Sequence, residues 1–275
     1  MESKNAIANA QLASVYRQWL NELEKNAPKL LAKYNADPNS QNYSNPYFIS
    51  VPDGWFGSES RIMVVGEEGF GERGNRKKNN EISAEEVEEI QMLNYNYLKD
   101  QLDPAGTKKN NSPFWRRLRK VSGFGICSWT NIDKIHLLHS KKCSLCEKDR
   151  KMLHSTNTKL LRKEIEILQP TCVVFFGWYG ISLKEELPEV FEKMYPGGLG
   201  DSSVWFKRVV SFQMDGRDYL FSYHPSWGYR KAGYEDKVIE ELKKITARKP
   251  EETGFGKNNL KCESRVKRVL KNSAT

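Results

Sequence analysis

Thr158-Lys159-Leu160-Leu161-Arg162-Lys163-Glu164-Ile165-Glu166-Ile167-Leu168-Gln169-Pro170-Thr171-Cys172-Val173-Val174-Phe175-Phe176-Gly177 decides the fold class. Residues 158–168 read as a helix. It must end before Pro170, because a residue preceding proline is driven out of helical backbone geometry. Residues 172–176 are apolar without alternation, as a strand covered on both faces requires, and Gly177 closes the run. A helix leading into a fully buried strand is the unit of an α/β protein.

The same reading extends in both directions. Arg61-Ile62-Met63-Val64-Val65 ends at Gly66 as a second buried strand, and residues 125–131 form a third. Residues 205–212 and 219–223 read as strands on either side of an Asp215-Gly216 turn. Leu12, Val15, Trp19 and Leu23 make one apolar stripe on a helix spanning 7–34. Ser83 and Glu86 have capping-box spacing and open a helix running to about Lys99. A short basic helix covers 115–121. A last helix covers 236–248 and carries Val238, Ile239, Leu242 and Ile245 on one side. Between these lie polar loops at 38–46, 69–80 and 103–112 and a polar insertion at 138–156. The predicted architecture is α/β, three layers (α/β/α) around a mainly parallel sheet. An N-terminal helical extension (1–45) precedes one α/β domain (46–248), and a basic tail (249–275) follows.

Several function classes are disfavoured at this level. No apolar run approaches bilayer-spanning length, and Met1-Glu2-Ser3-Lys4-Asn5 does not open a signal peptide. Five cysteines do not suggest a disulfide framework, so a cytoplasmic setting is expected. The chain holds 44 Lys and Arg against 35 Asp and Glu, a formal net charge of +9. Residues 104–132 contain no acidic residue, but include Lys108, Lys109, Arg116, Arg117, Arg119 and Lys120, with Phe114, Trp115, Phe124 and Trp129 among them. Basic clusters interleaved with aromatics suit a surface that follows phosphates and stacks bases, and they also suit a merely solvated basic face.

Sites in open α/β sheets gather at the carboxyl ends of the strands. The strands are followed by Gly66-Glu67-Glu68-Gly69-Phe70-Gly71, by Asn131-Ile132-Asp133-Lys134, by Gly177-Trp178-Tyr179-Gly180 and by Tyr223-His224-Pro225-Ser226-Trp227. A carboxylate pair, an Asn and a His could therefore share one rim. Singly, each has an ordinary reading: solvated glutamates in a turn, an Asn cap, a structural His before Pro.

In order, these segments resemble the motifs of the uracil-DNA glycosylase superfamily. Ile62-Met63-Val64-Val65-Gly66-Glu67-Glu68 is similar to the first motif, and Thr130-Asn131-Ile132-Asp133-Lys134 to the middle motif of the thermophile-type members. The segment from Leu160 to Gly177 resembles their helix–strand unit, and Tyr223-His224-Pro225-Ser226 their last motif. The resemblance covers about residues 46–246. It departs from the family at Gly69, where a Pro is usual, and at Phe70, where uracil-specific members have Tyr. The N-terminal cysteines of the iron–sulfur members are also missing, so no cofactor is expected.

The resemblance implies a monofunctional DNA glycosylase that flips a damaged or modified base, expected to be a pyrimidine, out of DNA and leaves an abasic site. His224 is the expected donor to the leaving base. Glu68, or Glu67 if the motif slips by one, would position the water. Asn131, Phe70 and Phe114 would bind the base. Arg116, Arg117, Arg119, Ser226, Trp227 and Tyr229 would contact DNA. No Lys has a clear Schiff-base setting, so no lyase step is expected. His139, Cys143, Cys146 and His154 could clip the insertion with zinc, but their spacing matches no common finger and two free thiols is the commoner outcome; no metal is expected. DNA is the expected partner and a monomer the expected state, with no membrane and no nucleotide cofactor. Two alternatives stand beside DNA repair: excision of a bulky modified cytosine from phage DNA as antiviral defence, and a DNA-binding module that has lost the chemistry.

Overall fold

The computed structural model describes residues 3–36, 46–66, 86–106, 109–135, 160–177, 180–196, 198, 209–228 and 232–248. The helices are α1 (Lys4–Asn26), α2 (Pro28–Asn35), α3 (Val87–Leu102), α4 (Pro113–Val121), α5 (Leu160–Leu168), α6 (Gly180–Glu186), α7 (Pro188–Met194), α8 (Pro225–Gly228) and α9 (Tyr234–Thr246). The strands are β1 (Arg61–Gly66), β2 (Ile126–Asn131), β3 (Cys172–Phe176), β4 (Val210–Met214) and β5 (Arg217–Ser222). They form one sheet in the order β2-β1-β3-β5-β4, parallel throughout except for the antiparallel pair β4–β5. The Asp215-Gly216 turn between β4 and β5 has positive φ at both residues (52° and 70°), the geometry of a type I′ hairpin.

Side chains alternate across a sheet, and β2 shows where the layers lie. Thr130 meets Glu164 of α5, while Trp129 packs edge-on against Trp115 of α4, 4.8 Å between ring centroids. Helices α1 and α5 therefore cover one face and α4 the other. A three-layer α/β/α arrangement around a mainly parallel sheet follows.

Several element boundaries differ from the sequence expectation, β4 ending at Met214 rather than 212 and the last helix running over Tyr234–Thr246 rather than 236–248. The long N-terminal helix breaks at Ala27, because Pro28 has no N–H and restricts the residue before it; Ala27 leaves helical geometry at φ −137°, ψ 49°. Helix α4 begins two residues early, since Pro113 is pre-set for a first helical position. Leu12, Tyr16, Trp19 and Leu23 of α1 join the same buried cluster as Val64, Val174 and Leu220 of the sheet. Ser83 of the expected capping box lies outside the described residues, and Glu86 makes no side-chain cap. Among the described residues, no helix is long and apolar enough to cross a membrane.

Candidate functional site

The strand register builds the rim. Asn131 of β2 pairs with Gly66 of β1, Gly66 with Phe176 of β3, and Phe176 with Ser222 of β5. The last residues of four parallel strands thus lie in one row. The connection from β1 leads to β2 on one side, and the chain then returns to β3 on the other. The crevice at such a switch of direction is where α/β sheets bind ligands.

Phe114, on the first turn of α4, sits over this row. Its ring lies 5.4 Å from that of Trp129 and 5.6 Å from that of Phe176, and it is only partly buried. Asn131 is buried, and its Oδ1 accepts a hydrogen bond from Trp129 Nε1 at 3.1 Å. An indole N–H only donates, so this bond fixes which end of the amide faces Trp129. As placed, Asn131 forms part of the packed floor of the rim.

Gly66 explains itself here. A Cβ added to it would stand 2.3 Å from Asn131 Oδ1 and 3.2 Å from Trp129 Nε1. The glycine of the first motif makes room for the asparagine of the second. Gly66→Ala is expected to push Asn131 off Trp129 and cost about 1–3 kcal/mol, the usual penalty of overpacking. A urea midpoint measures the cost, and a shift of the Trp129 indole N–H resonance reports the broken bond. An unchanged indole signal would refute this assignment.

His224 stands two residues beyond β5, half-buried, with Pro225 opening α8 behind it. Its Nδ1 accepts the Ser226 backbone N–H at 3.2 Å. A neutral ring with an accepting Nδ1 carries its proton on Nε2, so Nε2 is a donor. Burial, and then the nearby Arg117 charge, hold the imidazole pKa below its ordinary value, which favours this neutral form.

Arg117 corrects the sequence reading. It was expected at a phosphate-gripping surface but is fully buried. Its Nε donates to both carboxylate oxygens of Glu235 at 3.0 Å, and its Nη2 closes the ion pair. Its Nη1 donates to Ser222 Oγ at 2.9 Å and to the Tyr223 carbonyl at 2.7 Å. Arg119 is also engaged: its guanidinium donates to the carbonyls of Gln101 and Asn110 and so ties down the loop before α4. Arg116 is exposed, as is Lys120 one turn later, and these two keep the basic outer face.

A second buried cluster underlies β2. Lys134 Nζ donates to Thr130 Oγ1 (2.6 Å), to the Asn131 carbonyl (2.8 Å) and to Glu164 Oε2 (2.8 Å). Tyr16 Oη donates to Glu164 Oε1 at 2.6 Å, and Thr130 Oγ1 donates to Glu164 Oε2 at 2.9 Å. The Thr and Lys of the middle motif are therefore scaffolding that holds the Asn131 backbone. Lys134 is committed to an ion pair, which gives it no Schiff-base setting.

Of the other expected residues, Ser226 serves His224 through its backbone. Trp227 lies on α8, but its side chain is outside the described set. Glu67, Glu68, Phe70 and Tyr229 lie outside the described residues, as do His139, Cys143, Cys146 and His154. Among the described residues no group of three or more His, Cys, Asp or Glu side chains could hold a metal. Cys127 and Cys172 are free and buried, and burial raises both thiol pKa values.

The sequence reading missed Glu164, Glu235 and Tyr234, and it grouped Trp129 with surface aromatics although Trp129 is buried. A signal for Glu164 was available: it lies on the α5 stripe formed by Leu161, Ile165 and Leu168, where a charge needs a buried partner. No protein-family model matches the chain, and no curated protein matches it.

Proposed function

We propose that the protein is a monofunctional DNA glycosylase of the uracil-DNA glycosylase type, acting on a damaged or modified base. The observation that carries this reading is His224. Its Nδ1 accepts a backbone N–H, which makes Nε2 the donor of the neutral ring, and it stands two residues beyond Ser222, which shares the row of strand ends with Phe176, Gly66 and Asn131.

In this reading the target nucleotide leaves the stack and its base enters the crevice against Phe114. Asn131 turns from Trp129 to meet the base edge. The C1′–N bond breaks with both electrons going to the base, and the Nε2–H of His224 stabilises the negative charge that builds on a base oxygen. Glu68, or Glu67, orients a water on the opposite face of the sugar. The water oxygen bonds to C1′, its proton passes to the carboxylate, and the base departs as an anion that is protonated from solvent. Arg116 and Lys120, exposed on α4, would face phosphate.

The test is strand cleavage by alkali after incubating the protein with DNAs carrying uracil, hypoxanthine, hydroxymethyluracil, or plain, hydroxymethylated and glucosylated cytosine. Abasic sites on one substrate, lost in Glu68→Ala and in His224→Ala, are the expected result and would name the base. DNA binding with no abasic sites on any substrate would overturn catalysis and leave a binding module.

A further inference from the structure

Tyr223, the residue that leads into His224, is held at both of its backbone polar groups. The Tyr223 N–H donates to Tyr234 Oη at 2.7 Å, and the Tyr223 carbonyl accepts from Arg117 Nη1 at 2.7 Å. The two grips come from different helices, α9 and α4. Arg117 is itself over-determined. Glu235 binds its Nε and Nη2, Ser222 Oγ takes a second bond from Nη1, and its guanidinium carbon lies 5.1 Å from the centre of the Phe176 ring and 5.9 Å from that of Tyr234. Ser222 Oγ in turn donates to the Phe175 carbonyl at 3.2 Å, so the grip extends to the end of β3.

Stability alone does not call for this arrangement. A buried Arg–carboxylate pair is often no better for folding than apolar side chains of the same volume. Nor does it make a general surface for DNA, since Arg117 has no exposed area. What it does is fix a backbone segment one residue before the imidazole, in a place where small misplacements change rates strongly.

We propose that Arg117 and Tyr234 are positioning residues for His224, fixing the backbone that carries the imidazole while Arg117 sets a buried cation beside it. This rests on the glycosylase reading for its consequence but not for its geometry. The titratable and charged groups joined to this backbone are Tyr223 itself, Arg117 of α4, and Tyr234 and Glu235 of α9. Among them Arg117 supplies the charge that opposes imidazole protonation.

Two variants of the full chain test this. Tyr234→Phe removes one hydroxyl and keeps the ring. Arg117→Met with Glu235→Gln removes the ion pair as a unit and leaves no buried charge unpaired. Circular dichroism checks folding, NMR titration follows the His224 imidazole, and kcat and KM are measured on single-stranded DNA carrying the base that the panel identifies. The expected results are a His224 pKa above the wild-type value in the double variant, and a kcat for Tyr234→Phe lower by about tenfold with KM little changed. The proposal fails if the folded double variant titrates like wild type. Should the double variant not fold, it fails if Tyr234→Phe keeps both the wild-type kcat and the wild-type titration. If the wild type cuts none of the panel DNAs, the glycosylase reading falls, and the titrations still decide whether Arg117 and Tyr234 control His224.

Discussion

Glu164→Ala is expected to lower the folding free energy by about 3–5 kcal/mol, the range for breaking a buried ion pair by removing one partner. Lys134 and Glu164 have no exposed side-chain area. Removing the carboxylate leaves the Lys134 ammonium, among the described residues, with two neutral acceptors, Thr130 Oγ1 and the Asn131 carbonyl, and no counter-charge. It also strips the acceptor from the Tyr16 hydroxyl, which itself receives the Ile49 N–H at 3.1 Å. Burial, and then Glu164, raise the Tyr16 pKa well above its ordinary value, so the phenol stays a donor that needs an acceptor. Natural domains are stable by only about 5–15 kcal/mol, so this one change would consume a large part of the margin. Lys134→Met combined with Glu164→Leu is expected to recover most of the loss, because the penalty lies in the orphaned charge. Urea midpoints of wild type, single and double variants measure this. A single variant within about 1 kcal/mol of wild type would show that the pair is solvated in solution.

The contrast between the two buried ion pairs shows what a sequence makes legible. Strands at 61–66 and 172–176 could be read because a parallel strand buried on both faces has an apolar run with no alternation. The rim could be read because strand ends in such sheets converge by topology. The break at Ala27 was also encoded, in Pro28, but the apolar stripe continued across it and masked it. Arg117 was misread because its partner is 118 residues away and a basic helix resembles a nucleic-acid surface. Its position was informative: three residues after Phe114 and four before Val121, it falls on the apolar side of α4. Tyr16 and Glu164 are 148 residues apart, and no local pattern links them. Charged residues on apolar stripes could thus be recognised as anomalies, while their pairing required the fold. Glu67 and Glu68 remain sequence-level proposals, because they lie outside the described residues.

His224→Ala is expected to reduce the rate of abasic-site formation by about 10²–10³-fold, the usual cost of deleting one donor to a developing oxyanion. It is expected to change stability by less than about 1.5 kcal/mol, since among the described residues the half-buried ring makes one hydrogen bond, from the Ser226 N–H. Activity and stability therefore separate at His224, while Glu164→Ala moves stability first. The pH profile adds an independent check. If neutral imidazole is the working donor, activity falls as the ring takes a proton. The pKa of His224 in the fold lies below the ordinary value of about 6.5, through burial first and Arg117 second. The acid limb of kcat/KM should therefore lie below pH 6.5, provided no other group titrates there. The sign for folding runs the same way. Between the lowered pKa and about 6.5 the unfolded chain binds more protons than the native one, so the histidine's contribution to stability falls as pH drops through that window and is constant below it. An acid limb above 6.5, or full activity in His224→Ala, would remove His224 from the chemistry and leave it as a cap on α8.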